Sequence, residues 1–481
     1  MKSIHLASPS RRRAALLGLS CLLAGCAAVG PDYQPPKTDL PPAWSPAAAV
    51  DVPAAAVDVP AAPPDADWWR RFDDALLTSL VDRALAANTD VRIARARLRA
   101  ARAAGAQAEA ALWPSVGAYG SATRSSNGGQ DAVSSYGLGF DAAWEIDLFG
   151  GLRRGVEAAD ADAQASAATL ASTQVSLAAE VARDYVLLRA YQSRIAITQA
   201  NLDNQSQTLQ IAQWRAQAGL VGQTDVEQAR ANREQTRAQL PQLQDAATQT
   251  INALAVLLNV APGALAPELH DPAAIPSAAA QPLAGIPADL LRRRPDIVAA
   301  ERSLAAATAR IGVAEAARYP SLNLAGTLGL QGAVLSALTG GGAATQLVAA
   351  SLAAPIFDAG RLRQQVEIRS AEQEQALAAY EAALTGALRD VEDARAALAN
   401  GAVRADALAQ AVQAARNAAL LAGFRYRSGL VDFQTVLDTE RSVRTLEDSQ
   451  ASTQADNVIA MIQLYKALGG GWSADAADTT P

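Results

Sequence analysis

The stretch Arg215 to Glu227, RAQAGLVGQTDVE, is written a second time as Arg425 to Leu437, RYRSGLVDFQTVL. Gly219, Leu220, Val221 and Val226 recur as Gly429, Leu430, Val431 and Val436 at one spacing (429 − 219 = 210). Each copy sits between long Ala/Gln/Arg-rich segments that read as helices, and a glycine between two helices supplies the positive φ of a tight turn. The chain is therefore constrained to two helical hairpins, each with a short apolar tip, inside a duplicated architecture.

The duplication extends beyond the tips. Trp113-Pro114-Ser115 is matched by Tyr319-Pro320-Ser321, and Asp90-Val91 by Asp296-Ile297, at a spacing of 206 (319 − 113). Ile146, Gly150, Leu152 and Arg153 recur as Ile356, Gly360, Leu362 and Arg363 at 210, so four residues have entered between the anchor sets, where loops tolerate insertion. Each half reads helix, strand, strand, long helix, turn, helix. Asp73 to Trp113 is helical with a break at Asn88, and Pro114 ends it. The long helices, Leu152 to Ala218 and Leu362 to Ser428, each run about 67 residues, or about 100 Å. The returning helices Gln223 to Val260 and Val431 to Leu468 are about half that length; stacking them on the earlier helices Asn88 to Trp113 and Asp296 to Tyr319 matches the long ones. Pro241 is expected to kink or interrupt the first returning helix.

Between the helices the period changes to two. Tyr136, Leu138, Phe140, Ala142, Trp144 and Ile146 alternate with small or polar residues, as do Leu322, Leu324, Leu328 and Leu330, and then Val348, Ala350, Leu352, Ala354 and Ile356. Ser125 to Gln130 and Gly340 to Gly342 read as the turns. Such faces are long enough to cross a bilayer as tilted strands, although a soluble sandwich edge gives the same alternation. Four strands cannot close a barrel, so strands that span a membrane require two or more copies of the chain.

The N-terminus has Arg11 to Arg13, a short apolar run from Ala14, and then Leu23-Ala24-Gly25-Cys26. The run is too short to span a bilayer and reads as an export signal. Losing Lys2 and Arg11 to Arg13 with that leader, and no acid, takes the formal charge from −7 to −11. A mature chain this acidic is disfavoured as a nucleic-acid binder. Cys21 and His5 go with the leader, leaving Cys26 and His270. That inventory excludes Cys/His metal sites and His-based triads, and no carboxylate pair sits in a recognisable catalytic pattern. From Ala27 to Asp67 the Pro/Ala/Asp composition reads as an extended tether, ended by packing anchors Trp68, Trp69 and Phe72. Arg292 to Arg294 read as a solvated cluster ahead of a helix opened by Pro295 and Asp296.

Leu-Ala-Gly-Cys26 with Gly30-Pro-Asp-Tyr33, Trp68-Trp69 and Phe72, Leu290-Leu-Arg-Arg-Arg-Pro-Asp-Ile297 with Ala300-Glu301, Tyr319-Pro-Ser321 and the twin tips resemble the outer membrane factor family. These are the TolC-like and OprM-like exit ducts, and within them the NodT-type efflux lipoproteins. The resemblance covers essentially the whole mature chain. It implies a mainly α fold with membrane β: two structural repeats, four strands per chain of a trimeric twelve-stranded barrel, and a long α-helical periplasmic barrel. The implied layout is a lipoprotein signal peptide at 1–25, a lipidated tether at 26–67, repeats at 68–287 and 288–468, and a tail at 469–481.

The resemblance further implies S-diacylglycerol and N-palmitoyl groups on Cys26 in the outer membrane, no other cofactor, and no catalysis. Its implied partners are sister copies, a periplasmic adaptor and an inner-membrane RND-type pump, with small molecules as cargo whose identity the sequence does not give. Gly219, Leu220, Val221, Gly429, Leu430 and Val431 then form the adaptor contact in addition to packing their own hairpins. Asp438 and Arg441 fall where OprM-like relatives place a periplasmic constriction, with Gln434 where close relatives carry an apolar residue. An exposed i, i+3 pair within one helix explains the same two charges. Other readings kept open are the outer component of a type I protein secretion system, a lipid-anchored periplasmic coiled-coil scaffold, and a surface enzyme. The scaffold does not account for four alternating strands, and the missing His and Cys count against the enzyme.

Overall fold

The computed structural model describes residues 28–37, 67–126, 128, 131–277, 288–470 and 472. The leader, Cys26 and most of the tether lie outside the described residues. Helices α1 (Ala75–Ala87) and α2 (Thr89–Ala110) precede β1 (Ser115–Ser125) and β2 (Val133–Ile146), and α3 (Gly151–Gln217) and α4 (Gln223–Leu257) form the first hairpin. The second half repeats this with α5 (Pro295–Ala316), β3 (Ser321–Gly332), β4 (Ala344–Ala353), α6 (Arg361–Arg427) and α7 (Phe433–Ala467). Both α3 and α6 are 67 residues long and both α4 and α7 are 35, so the duplication holds at the level of element lengths.

Local chemistry sets the boundaries. Asn88, 4% exposed, separates α1 from α2 by capping the second: its Oδ1 accepts from the N–H groups of Asp90 (2.8 Å) and Val91 (3.3 Å), while its amide donates to the Leu257 carbonyl at 2.9 Å. Pro241 does not interrupt α4. The residues around it, Thr236, Leu243 and Ala247, are buried by tertiary packing, which outweighs the one hydrogen bond that proline forfeits. On α6 the buried positions Tyr380, Leu384, Ala387, Val391 and Ala394 step by four and three, the spacing of a coiled-coil seam.

The chain forms two compact units, each drawing on both halves: one of Met1–Lys37, Ala96–Ala168 and Val298–Ala382, the other of Thr38–Arg95, Thr169–Ile297 and Ala383–Pro481. The first contains an antiparallel sheet in the order β1-β2-β3-β4. β4 stops at Ala353, so Ala354 and Ile356 fall outside the strand that the alternation predicts; Pro355 has no N–H to extend the ladder. A 3-10 turn over Leu335–Thr339, unannounced by the sequence, precedes the glycine turn between β3 and β4.

In the second unit, Trp68, Trp69 and Phe72 are buried anchors. The Trp68 ring stacks on Tyr465 at 5.3 Å and meets Trp69 edge-on at 5.7 Å. A polar chain runs through the same core: the Tyr185 hydroxyl donates to Asp74 at 2.7 Å and accepts from Arg189 at 3.1 Å. Burial, helped by the Asp74 carboxylate, pushes the Tyr185 phenol up to about 12. Arg294 departs from the solvated cluster that the sequence suggests. It is 8% exposed, donates to the Ala467 carbonyl at the end of α7 (2.9 Å) and pairs with Asp296 (2.7 Å) and Asp390 (3.5 Å), while Arg292 and Arg293 stay exposed. A cation there satisfies a terminal carbonyl and complements the negative end of the helix dipole.

Candidate functional site

The sheet is two-faced across all four strands, because the register places like residues opposite one another. Val116 pairs with Ala142, Ala142 with Gly326 and Gly326 with Val348; one row over, Phe140 pairs with Leu328; at the helix end, Ile146 pairs with Leu322 and Leu322 with Leu352. Partners across a ladder project to the same side, so this face is apolar over most of its length, with Gln346 opposite Leu328 and the Arg124–Ser134 pair near the turn end. The opposite face carries Ser121, Thr123, Asp141, Glu145, Asn323, Thr327 and Ser351, with glycines at 137, 139 and 329. Tyr119 covers two of these glycines: a Cβ added at Gly139 would lie 3.1 Å from its ring, and one at Gly329 would lie 2.9 Å from its hydroxyl. Phe140, Leu328, Val348 and Leu352 are between 59% and 90% exposed in the single chain. β1 and β4 each pair on one side only. An apolar face with two open edges is stable in lipid only when other strands complete the ladder, since each unpaired backbone group there costs several kcal/mol.

The two tips are built alike. Gly219 (φ 72°) and Gly429 (φ 73°) take the left-handed conformation; the Leu220 N–H donates to the Arg215 carbonyl and the Leu430 N–H to the Arg425 carbonyl, both at 2.8 Å. With Gly219 N–H to Ala216 and Gly429 N–H to Tyr426 at 3.0 Å, each helix closes in a Schellman motif. Asp432 then caps α7 by accepting from the Thr435 hydroxyl and from the Thr435 N–H at 2.9 Å, hydrogen bonds that hold its carboxyl below the usual range, whereas Gly222 offers α4 no side chain. Beneath the tips, Leu209, Ala212, Val226, Ala422, Tyr426, Phe433 and Leu437 form one core, and the Arg215 guanidinium lies 4.4 Å over the Tyr426 ring. Val431 packs against this core, Val221 is half-buried, and Leu220 and Leu430 point outward at 67% and 73% exposure.

Gln434, Asp438 and Arg441 share one stripe of α7. The Gln434 amide donates to Asp438 at 2.9 Å and Arg441 pairs with the same carboxylate oxygen at 3.3 Å, both charged side chains about half exposed. Within one chain they are thus an intrahelical trio. His270 is exposed, and among the described residues no group of His, Cys, Asp or Glu has the arrangement of a metal site.

The residues after Ala28 form a strap on the first unit that sequence reasoning missed. Gly30, at φ 90°, crosses α5 at Gly312, where a Cβ on either glycine would lie 2.4 to 2.8 Å from its neighbours. The buried Arg154 guanidinium holds the strap through Asp32 (2.6 Å), Val29 O (3.2 Å) and Gly30 O (3.3 Å), and it also binds Glu157 (2.7 Å). The Tyr33 hydroxyl donates to Glu301 at 3.0 Å, with Arg302 over its ring at 5.5 Å. Burial and the Glu301 carboxylate raise the Tyr33 phenol. The Gly30-Pro-Asp-Tyr33 and Ala300-Glu301 motifs, far apart in the chain, therefore meet. Gly312→Val should displace the strap at about 1–3 kcal/mol of overpacking. Chymotryptic cleavage after Tyr33 should then run roughly fivefold to a hundredfold faster than in the parent, and an unchanged rate would mean the strap is not held there.

This fold defines a class: a chain that supplies four strands to a shared membrane barrel and carries paired long helices with matched tips. Residues 80–260 and 286–470 each match the family described as outer membrane efflux protein, one match per half. The probable efflux pump outer membrane protein TtgC of Pseudomonas putida is 33% identical over 467 residues, 94% of either chain. The pyoverdine export outer membrane protein OpmQ of the same species is 34% identical over 480 residues, 97% of this chain and 98% of its own. The solved outer-membrane channel OprN superposes with a TM-score of 0.85 at 36% identity, over 92% of this chain and 99% of its own. The chain belongs to the outer membrane efflux protein family and is an efflux channel of the outer membrane, with a TolC-like fold that extends into the periplasm.

Proposed function

We propose that three copies of this chain close a twelve-stranded barrel (3 × 4 strands) and form a passive exit duct for small molecules. A periplasmic adaptor docks on the tips and an inner-membrane RND-type pump supplies the energy. The observation that carries this reading is the sheet, predominantly apolar on one side and unpaired at both edges, which sister copies would seal. Small-molecule cargo is favoured over a secreted protein because the relatives' names speak of efflux pumps and of pyoverdine export. Cys26 carries the acyl chains, close in sequence to the strap residues Gly30 to Tyr33. Repeats at 68–287 and 288–468 each contribute one hairpin and two strands. Leu220 and Leu430 are the outward tip contacts, Gly219 and Gly429 shape the turns, and Val221 and Val431 back them. Gln434, Asp438 and Arg441 from three copies form the periplasmic constriction.

Photo-crosslinking from positions 220 and 430 in cells tests the docking. An adduct with a periplasmic adaptor is expected at both positions, and adducts with sister copies alone would contradict the assignment.

A further inference from the structure

Helix α2 carries five arginines, Arg92, Arg95, Arg97, Arg99 and Arg102, against the acids Asp90 and Glu109, in a chain whose formal charge is −7. In the first unit its buried and half-buried positions Leu98, Ala101, Gly105 and Ala108 step by three, four and three, and a Cβ on Gly105 would lie 3.5 Å from Asp160 Oδ1 of α3. Arg99 and Arg102 each follow one of these positions by one residue, so they share the flank about 100° round from that seam. Both are exposed, and among the described residues neither has a hydrogen bond or an ion pair.

Helix α6 bears the complementary pattern close to the sheet. Its half-buried side runs through Leu362, Val366, Arg369, Gln373 and Ala376, and Glu367 and Glu374 each follow one of these by one residue. Both carboxylates are exposed and, among the described residues, likewise lack a hydrogen bond or ion pair, whereas neighbouring Glu372 is held by Arg369 at 2.7 Å. The sheet decides which helices become neighbours: α2 enters β1 and α6 leaves β4, the two strands that pair on one side only. Helix order follows strand order within the unit. α2 meets α3 at Gly105, and α3 meets α5 through the Arg310–Asp162 ion pair and where a Cβ on Gly312 would lie 2.8 Å from Arg154 Cγ.

We propose that Arg102 and Arg99 of α2 pair with Glu367 and Glu374 of the partner subunit, a four-charge latch repeated at every boundary between copies. This rests on the closure by sister copies proposed above, which joins β4 of one copy to β1 of the next and so sets α6 beside the neighbouring α2. One helix runs toward the sheet and the other away, so they are antiparallel, and flanks one residue past each seam fall on the same side of the wall. The depths agree as well. Measured from the helix ends nearest the sheet, Ala110 and Arg361, Arg102 lies about 12 Å down and Glu367 about 9 Å, while Arg99 lies about 17 Å down and Glu374 about 20 Å. Long charged side chains flanking a helical seam bridge to the facing helix in this way. A sister copy satisfies both stripes at once, whereas an anionic surface would satisfy the arginines and repel the glutamates.

A bis-maleimide with a two-carbon spacer, applied to the full-length protein in outer membranes, tests the latch in a chain carrying Arg102→Cys and Glu367→Cys. On the same reading Cys21 leaves with the leader and acylation occupies Cys26, so the new thiols are the reactive ones. A covalently joined set of chains is expected on denaturing gels, and Arg97→Cys with Glu367→Cys, whose first thiol sits on the other flank of α2, should give roughly tenfold less. Arg102→Glu should speed dissociation of the detergent-solubilised trimer by roughly threefold to a hundredfold, since the change recurs at every boundary, and adding Glu367→Arg should restore the parent rate. Links confined to single chains, or no preference for position 102 over 97, overturn the latch. If the protein nevertheless sediments as three chains, the proposed closure stands without it; a single-chain mass overturns both. Unchanged dissociation of Arg102→Glu with weakened binding to phosphatidylglycerol vesicles would assign the arginines to a lipid surface and also overturns the latch.

Discussion

Val348→Arg is expected to remove most of the assembled protein from the outer membrane, whereas Ala349→Arg, one residue further on, leaves assembly intact. Val348 lies midway along β4 on the apolar face, in the row with Gly326 and Ala142, and is 90% exposed in the single chain. An arginine on the lipid face near the bilayer midplane costs about 2–4 kcal/mol per copy, and every copy in a closed barrel bears it. Ala349 pairs with Ala325 on the face that also carries Thr327 and Asn323. An arginine there meets water in the lumen, so the expected change is in conductance. Quantifying the detergent-resistant oligomer in outer-membrane fractions separates the two. Equal loss, or equal tolerance, would mean that the alternation does not divide lipid from water.

Leu430→Asp is expected to bring efflux to the level of a strain lacking the protein while the chain still folds and inserts. Leu430 enters the Schellman turn only through its backbone N–H, and its side chain is 73% exposed, so the change should move stability by no more than about 0.5 kcal/mol. A docked leucine contributes about 1.5–3 kcal/mol of burial, and the substitution replaces that with a carboxylate to desolvate, once per copy. Leu220→Asp should act alike, since its turn has the same hydrogen bonds. Drug susceptibility read beside the amount of inserted protein checks this; full resistance with normal insertion would mean the tips do not dock through their leucines.

What the sequence disclosed was whatever local pattern governs. The long helices fall within one residue of their expected ends, because the terminating glycines and the helical composition act within a few residues of where they are written. The alternating strands were legible for the same reason, apart from the end of β4, where Pro355 outweighs the continued alternation of Ala354 and Ile356. The misses are contacts between distant segments. Nothing in Arg292-Arg293-Arg294 distinguishes the third arginine, which is buried because the end of α7 lies against it. Nothing near Gly312 announces that Gly30 will cross it, or that Arg154 will bind the strap. Pro241 reads as a breaker, yet the packing of its neighbours keeps α4 continuous. The tip leucines stood out only because the repeat marks them, while their outward direction follows from the turn geometry.

The sealing of the four-stranded sheet by sister copies is tested most directly by the mass of the detergent-solubilised mature protein in sedimentation equilibrium, corrected for bound detergent. One species of three chains that persists on dilution is expected; a single chain that stays folded after detergent is removed would mean that the sheet needs no sister copies.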